Sequence, residues 1–160
     1  WSADRIQKAA GHGLTPLQAT ILASIVEEET TRKSDKYNIA STYLNRLKIN
    51  MKLQACPTAK YVSRNFQLDR ITEKQTSLVS PYNTYINQGL PPGPICTPSL
   101  ESVDAVLDAP STAYLYFVAS YTFDGSTIFT SDYDDHMKFA RLFQAEQKRR
   151  ADSVKKLHSK

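Results

Sequence analysis

Apolar and polar positions alternate along this chain with two periods, and the most apolar helical stretch begins just after a turn. Thr15 followed by Pro16 is a helix-start signature, a hydroxyl cap ahead of a residue whose missing N–H costs nothing in the first turn. From Leu17 onward, within the stretch Leu14 to Arg32, the residues Leu17, Ile21, Leu22, Ile25 and Val26 cover so broad an arc that most of the helix is expected to be buried. Ahead of it, residues 1–13 carry Ile6, Ala9 and Ala10 on one face and stop at Gly11-His12-Gly13, which reads as the tail of an upstream helix. After a polar break at Lys33 to Tyr37, Ile39, Tyr43, Leu44 and Leu47 predict a second helix packed on the first. Asn50 to Gln54 alternates as a short strand does, and Cys56-Pro57-Thr58 ends it.

Residues 63–80 are polar and irregular, with a short helix expected after Thr72. Ser80 to Ile95 then carries four prolines and two glycines, which hold the backbone in turns and extended conformation. Ser99 to Ala109 is a capped amphipathic helix ending before Pro110. Ala113 to Ala119 and Thr127 to Thr130, on either side of Asp124-Gly125, predict a β-hairpin, and a last helix runs from His136 to about Leu157. The pattern is that of an α+β protein, a helical body with a small antiparallel sheet, in one domain over 1–160.

Composition and charge narrow the function. At 41% hydrophobic the chain is globular, and no run reaches the roughly eighteen apolar residues of a membrane span. The start at Trp1, without Met or a signal-peptide pattern, reads as that of a fragment, with any anchor expected upstream. The net charge of +4 gathers toward a basic C-terminal helix, 143–160, and no aromatic interleaving accompanies it, which excludes nucleic acid as the expected partner. Cys56 and Cys96 lack any CxxC spacing and are either free thiols or one disulfide. Asp132, Asp134, Asp135 and His136 lack the glycine and distal Glu of a calcium loop, so they read as a helix cap and no metal is expected. Nucleotide and serine-nucleophile motifs are absent, and no cofactor is implied.

The chemistry to expect lies in Glu27, Glu28 and Glu29, which close the first long helix. On a helical wheel Glu29 falls inside the apolar arc near Leu22, Ile25 and Val26, where an ionised carboxylate needs a partner. Glu28 lies at its edge. Glu27 shares a strip with Thr20, Ala23, Ser24 and Thr31, small residues that would let a ligand approach, so Glu27 is the expected general acid and Glu29 a buried supporting group. The plainer reading is an acidic last turn. The tyrosines, asparagine and threonine of the proline-rich loop suit a sugar site, or else pack on the core.

Taken together, ILASIVEEET, IASTYLNRLKINMKLQACPT, SPYNTYINQGLPPGPI and YLYFVASYTFDGSTIFTSDYDDH resemble the bacterial endolytic murein transglycosylase family, MltG or YceG-like, over about Leu14 to Leu142. The resemblance implies a lysozyme-like catalytic cleft and a lytic transglycosylase that cuts peptidoglycan glycan strands internally. Such an enzyme leaves 1,6-anhydro-N-acetylmuramic acid ends, with one carboxyl, aligned on Glu27, as acid and base. It further implies Glu29, Asn45, Gln54, Thr58, Tyr82, Asn83 and Tyr85 as substrate-binding or supporting residues. A hydrolytic muramidase would need a second carboxyl, for which Asp69 or Glu73 are the candidates, and a non-catalytic glycan-binding module is the alternative from another class. Cell-wall synthases are expected partners, and the location is extracytoplasmic on an inner-membrane anchor. The chain departs from the family at Cys56, usually acidic, at Cys96, usually alanine, and at Thr127, often His. Two cysteines in two motifs of one cleft suggest a disulfide between Cys56 and Cys96.

Overall fold

A computed structural model describes residues 1–68 and 70–158. They form an α+β protein of seven helices and one two-stranded antiparallel sheet. The single domain expected over 1–160 divides into two compact units, Trp1–Thr112 and a second from Ala113 onward.

The first unit is helical and is built around α2, Pro16–Glu29. Thr15 and Gln18 form a reciprocal capping box at its start, Gln18 N–H donating to Thr15 Oγ1 and Thr15 N–H to Gln18 Oε1. From Ile21 through Val26 every residue is buried, because α3, α4 and α6 pack on different sides of the helix. The small residues Ala23 and Ser24 are wholly enclosed. Their size admits α6 and the proline-rich loop rather than a ligand, and Ser24 Oγ accepts from Ile95 N–H at 3.0 Å.

Helix α3, Lys33–Lys48, starts six residues before the predicted Ile39. Its first turns carry no apolar periodicity because the inward residues are charged: Asp35 and Lys36 are buried. The ammonium of Lys36 bridges Glu27 at 3.3 Å and Glu101 at 3.4 Å. Burial of charge is tolerated when it is paired in this way.

Residues 50–54 do not form the predicted strand. Asn50 and Gln54 take left-handed backbone conformations, φ +55° and +49°. The carbonyls of Lys52 and Leu53 accept from the Arg46 guanidinium, at 3.3 and 2.6 Å, and not from a neighbouring strand. The segment leads into a helix, α4, Cys56–Ser63, with Pro57 in its first turn, so Cys56-Pro57-Thr58 starts a helix and does not end a strand. Helix α5 is one turn, Glu73–Thr76, and α6 spans Leu100–Leu107 with Ser99 as its cap. Helix α1, Ala3–Gly11, is capped by Ser2, whose hydroxyl accepts from Arg5 N–H.

In the second unit β1, Tyr116–Ala119, pairs with β2, Thr127–Thr130, in the register Tyr116 opposite Thr130 and Ala119 opposite Thr127. Ser126 N–H donates to Asp124 Oδ1 at 2.8 Å in the connecting turn. Helix α7, Tyr133–His158, opens on Asp132, whose carboxylate accepts from Asp134 and Asp135 N–H, as the acidic cluster predicts. Aromatic pairs join hairpin and helix, Phe123 on Phe143 at 5.0 Å and Tyr116 on His136 at 5.3 Å. Among the described residues no helix is long and apolar enough to cross a membrane.

Candidate active site

The three glutamates at the end of α2 point to three different surroundings. Glu27 faces α6 and α3. Its Oε2 accepts from Ser102 Oγ, from Ser99 Oγ at 2.6 Å, from Ser99 N–H at 3.2 Å and from Lys36 Nζ at 3.3 Å. A carboxylate over the first turn of α6 also meets the favourable end of the helix dipole. Partial burial works to raise its pKa, but the hydrogen bonds of Ser102, Ser99 and Lys36 outweigh it and hold the carboxyl at about 2. Glu27 is therefore ionised at neutral pH, with Oε2 held by these four donors. Of the strip Thr20, Ala23, Ser24 and Thr31 along which ligand approach is expected, Ala23 and Ser24 are wholly buried, with the loop at Ile95 hydrogen-bonded to Ser24.

Glu29 faces the other way, into a hollow of about 290 Å³. The walls come from α2 (Glu28, Glu29), α4 (Cys56, Pro57, Lys60, Tyr61), the following turn (Phe66) and the end of the proline-rich loop (Ile95, Cys96). The buried Tyr43 of α3 donates a hydrogen bond to Glu29 Oε1. Burial raises the Glu29 pKa to about 7, against the Tyr43 hydroxyl and the positive charges of Arg46 and Lys60, which pull it down. Near neutral pH this carboxyl passes between protonated and ionised forms while lining an open cavity, the condition of a general acid and base. The helical wheel placed Glu29 correctly inside the apolar arc. It did not show that α4 and the loop leave a gap where that arc ends.

The other expected site residues divide. Tyr85 closes the far side of Cys56, with its hydroxyl 3.1 Å from Sγ. Tyr82 does not line the hollow but stacks on Tyr61, which does, at 5.0 Å between ring centres. Asn83 is buried and shapes the loop: its amide donates to Thr76 O and Leu78 O, and its Oδ1 accepts from Tyr85 N–H. Thr58 is buried too, donating to Ala55 O and meeting Thr84 Oγ1 at 2.8 Å. Asn45 ties α3 to Thr112 O at 2.9 Å, and Gln54 joins the loop through its backbone N–H to Thr84 O at 3.1 Å. Neither lines the hollow.

The disulfide expected between Cys56 and Cys96 is corrected: both are free thiols, although both line the hollow. Each has its own partner, Tyr85 for Cys56 and the Ser24 carbonyl, at 3.3 Å, for Cys96. Burial, aided by the neighbouring Glu28, pushes the Cys96 thiol up to about 11. Asp69, a candidate second carboxyl, lies outside the described residues, and Glu73 does not line the Glu29 hollow. Sequence reasoning missed Tyr43, Lys60, Tyr61 and Phe66. Pro57, Lys60 and Tyr61 fall at helical spacing, a signal hidden by reading Cys56 to Thr58 as the end of a strand.

With this geometry in hand, comparison with known proteins is informative. The chain is 44% identical over 117 residues to the endolytic murein transglycosylase of Bacillus subtilis (strain 168), covering 73% of this chain and 32% of that protein. It is 34% identical over 127 residues to the endolytic murein transglycosylase of Streptococcus pneumoniae serotype 2, covering 77% of this chain and 23% of the relative. The chain thus spans a third or less of these relatives. A crystal structure of a YceG-like protein from Listeria monocytogenes superposes with a TM-score of 0.75 at 36% identity, over 82% of this chain and 42% of that one. A family model described as YceG-like matches residues 1–141, and the chain belongs to the YceG-like family.

Proposed function

We propose that this chain carries the active site of a lytic transglycosylase that cuts peptidoglycan strands internally, with Glu29, in place of Glu27, as the single acid and base. The reading rests on one observation, a carboxyl with pKa of about 7 on the wall of an open cavity. The relatives named as endolytic murein transglycosylases support the substrate class. Protonated Glu29 gives its proton to the oxygen between N-acetylmuramic acid and the next N-acetylglucosamine, while the substrate's acetamido oxygen assists at the anomeric carbon. The carboxylate left behind takes the proton of the C6 hydroxyl, whose oxygen closes the 1,6-anhydro ring. Tyr43 holds the carboxyl in place and stabilises its charged phase. In the full-length protein the same reading implies an extracytoplasmic location on an inner-membrane anchor, beside cell-wall synthases.

A second reading has its own observation. Glu28 also lines the hollow, at its exposed rim, and a hydrolytic muramidase uses two carboxyls. The experiment is digestion of purified glycan strands followed by mass spectrometry. Glu29→Gln is expected to abolish cleavage, Glu27→Gln to retain it, and each new muramic acid end to be lighter by one water than its hydrolytic counterpart. Loss of activity in Glu27→Gln at unchanged folding, with activity kept in Glu29→Gln, refutes the assignment. Strand binding by the wild-type chain without cleavage points to the non-catalytic module.

A further inference from the structure

A second hollow, of about 770 Å³, shares the side chains of Cys56 and Lys60 with the Glu29 cavity. Its remaining wall comes from the segment 70–76 and Tyr85. Two cations face it, Lys60 from α4 and Arg70 from the turn before α5. Lys60 is half-buried and Arg70 exposed, and neither makes an ion pair among the described residues, whereas Lys36 and Arg5 of the same helical body are paired. Glu73 also lies on this wall, so the three charges leave a balance of one positive. Thr72, Thr76 and Tyr85 add hydroxyls, and Ile71 an apolar patch. A groove of this kind favours one anionic group carried on a polar, partly apolar ligand.

We propose that the second hollow is a carboxylate subsite, in which Lys60 and Arg70 take the acidic substituent of the muramic acid residue next to the bond at Glu29. This rests on the reading of the Glu29 cavity as a glycan site. Two sources of the carboxylate exist on such a strand, the bare lactyl group of an unsubstituted residue and the acidic groups of a stem peptide. Lys60 belongs to both walls, so an acidic substituent on a sugar seated against Glu29 has only a short span to cross to reach it.

The test measures strand affinity without turnover, using the 160-residue chain bearing Glu29→Gln. Its probes are peptide-bearing strands, strands stripped of peptide to free lactyl carboxylates, and both kinds with every carboxyl converted to a neutral amide. The carboxylate forms are expected to bind about fivefold more tightly than their amides, as a partly exposed ion pair allows. Arg70→Gln is expected to erase the difference while leaving the amide forms unchanged, and Arg70→Lys to keep most of it. Stripped strands that match peptide-bearing ones identify the lactyl group as the source, and preference for peptide-bearing strands identifies the peptide. Equal affinity of charged and amidated strands overturns the subsite, as does an Arg70→Gln loss that is the same for both. Failure of the catalytic reading looks different: wild-type chain then cleaves no strand, whatever the charge dependence of its binding.

Discussion

Two glutamates separated by one residue end in opposite states because of what surrounds them. Glu27 collects four hydrogen bonds, one of them from a lysine, and Glu29 collects one tyrosine and a place on the wall of a mixed polar and apolar hollow. The difference carries a pH prediction. Cleavage needs Glu29 protonated at the first step, so the rate is expected to fall as pH rises through about 7. Tyr43 donates to the carboxylate and so lowers its pKa; Tyr43→Phe is expected to move that falling limb to higher pH while reducing kcat through looser positioning. A pH–rate profile of both proteins checks it, and a limb that stays in place shows the tyrosine to be structural only.

Elements position these residues through contacts that cross from one helix or loop to another. Tyr61 is backed by Tyr82, and Tyr82 by Gly93, where an added Cβ would stand 2.9 Å from the tyrosine hydroxyl. Gly93→Ala is therefore expected to push Tyr82 off Tyr61, raising KM for glycan more than it lowers kcat, and steady-state kinetics would read the split. On the opposite side of α2, the Ser99, Ser102 and Lys36 contacts bind Glu27 into the junction of α2, α3 and α6. Losing one hydrogen bond to a partly exposed carboxylate is expected to cost about 1–2 kcal/mol. Thermal unfolding of Ser102→Ala measures it, with cleavage kept. Helix α4 illustrates what an element-level reading of sequence loses: eight residues, one of them proline, following a non-regular segment held by Arg46, offer too short a pattern to separate helix from turn.

At the scale of the whole molecule the two carboxyls give stability opposite dependences on pH. The Glu27 pKa is depressed in the folded state, from 4.5 to about 2, so its contribution is present above about 4.5 and is lost as pH falls toward 2. The Glu29 pKa is raised, from 4.5 to about 7, so its contribution is present below about 4.5 and is lost as pH rises to 7. Denaturant titrations across this range are expected to show both limbs. Glu27→Gln should flatten the acidic one, and Glu29→Gln should remove the fall between 4.5 and 7 and raise stability at neutral pH.

The sequence by itself determined the elements whose pattern is local: α2 with its Thr15 cap, the second half of α3, α6, the hairpin across Asp124-Gly125 and the helix after Asp132. Hydrophobic period, caps and turn residues act over a few positions, and those are printed in the order of the chain. It also made the glutamates ending α2 the expected place for chemistry, since a run of acids on an apolar helix demands an explanation. Which glutamate meets the cavity was decided by tertiary structure alone. The Glu27 carboxylate is taken up by the start of α6, which lies some seventy residues away in sequence, as Ser99 and Ser102 show, and the gap beside Glu29 is framed by α4 and the proline-rich loop. A carboxyl's proton affinity depends on the water, donors and charges within a few ångströms of it, and at these two positions nearly all of those come from distant parts of the chain.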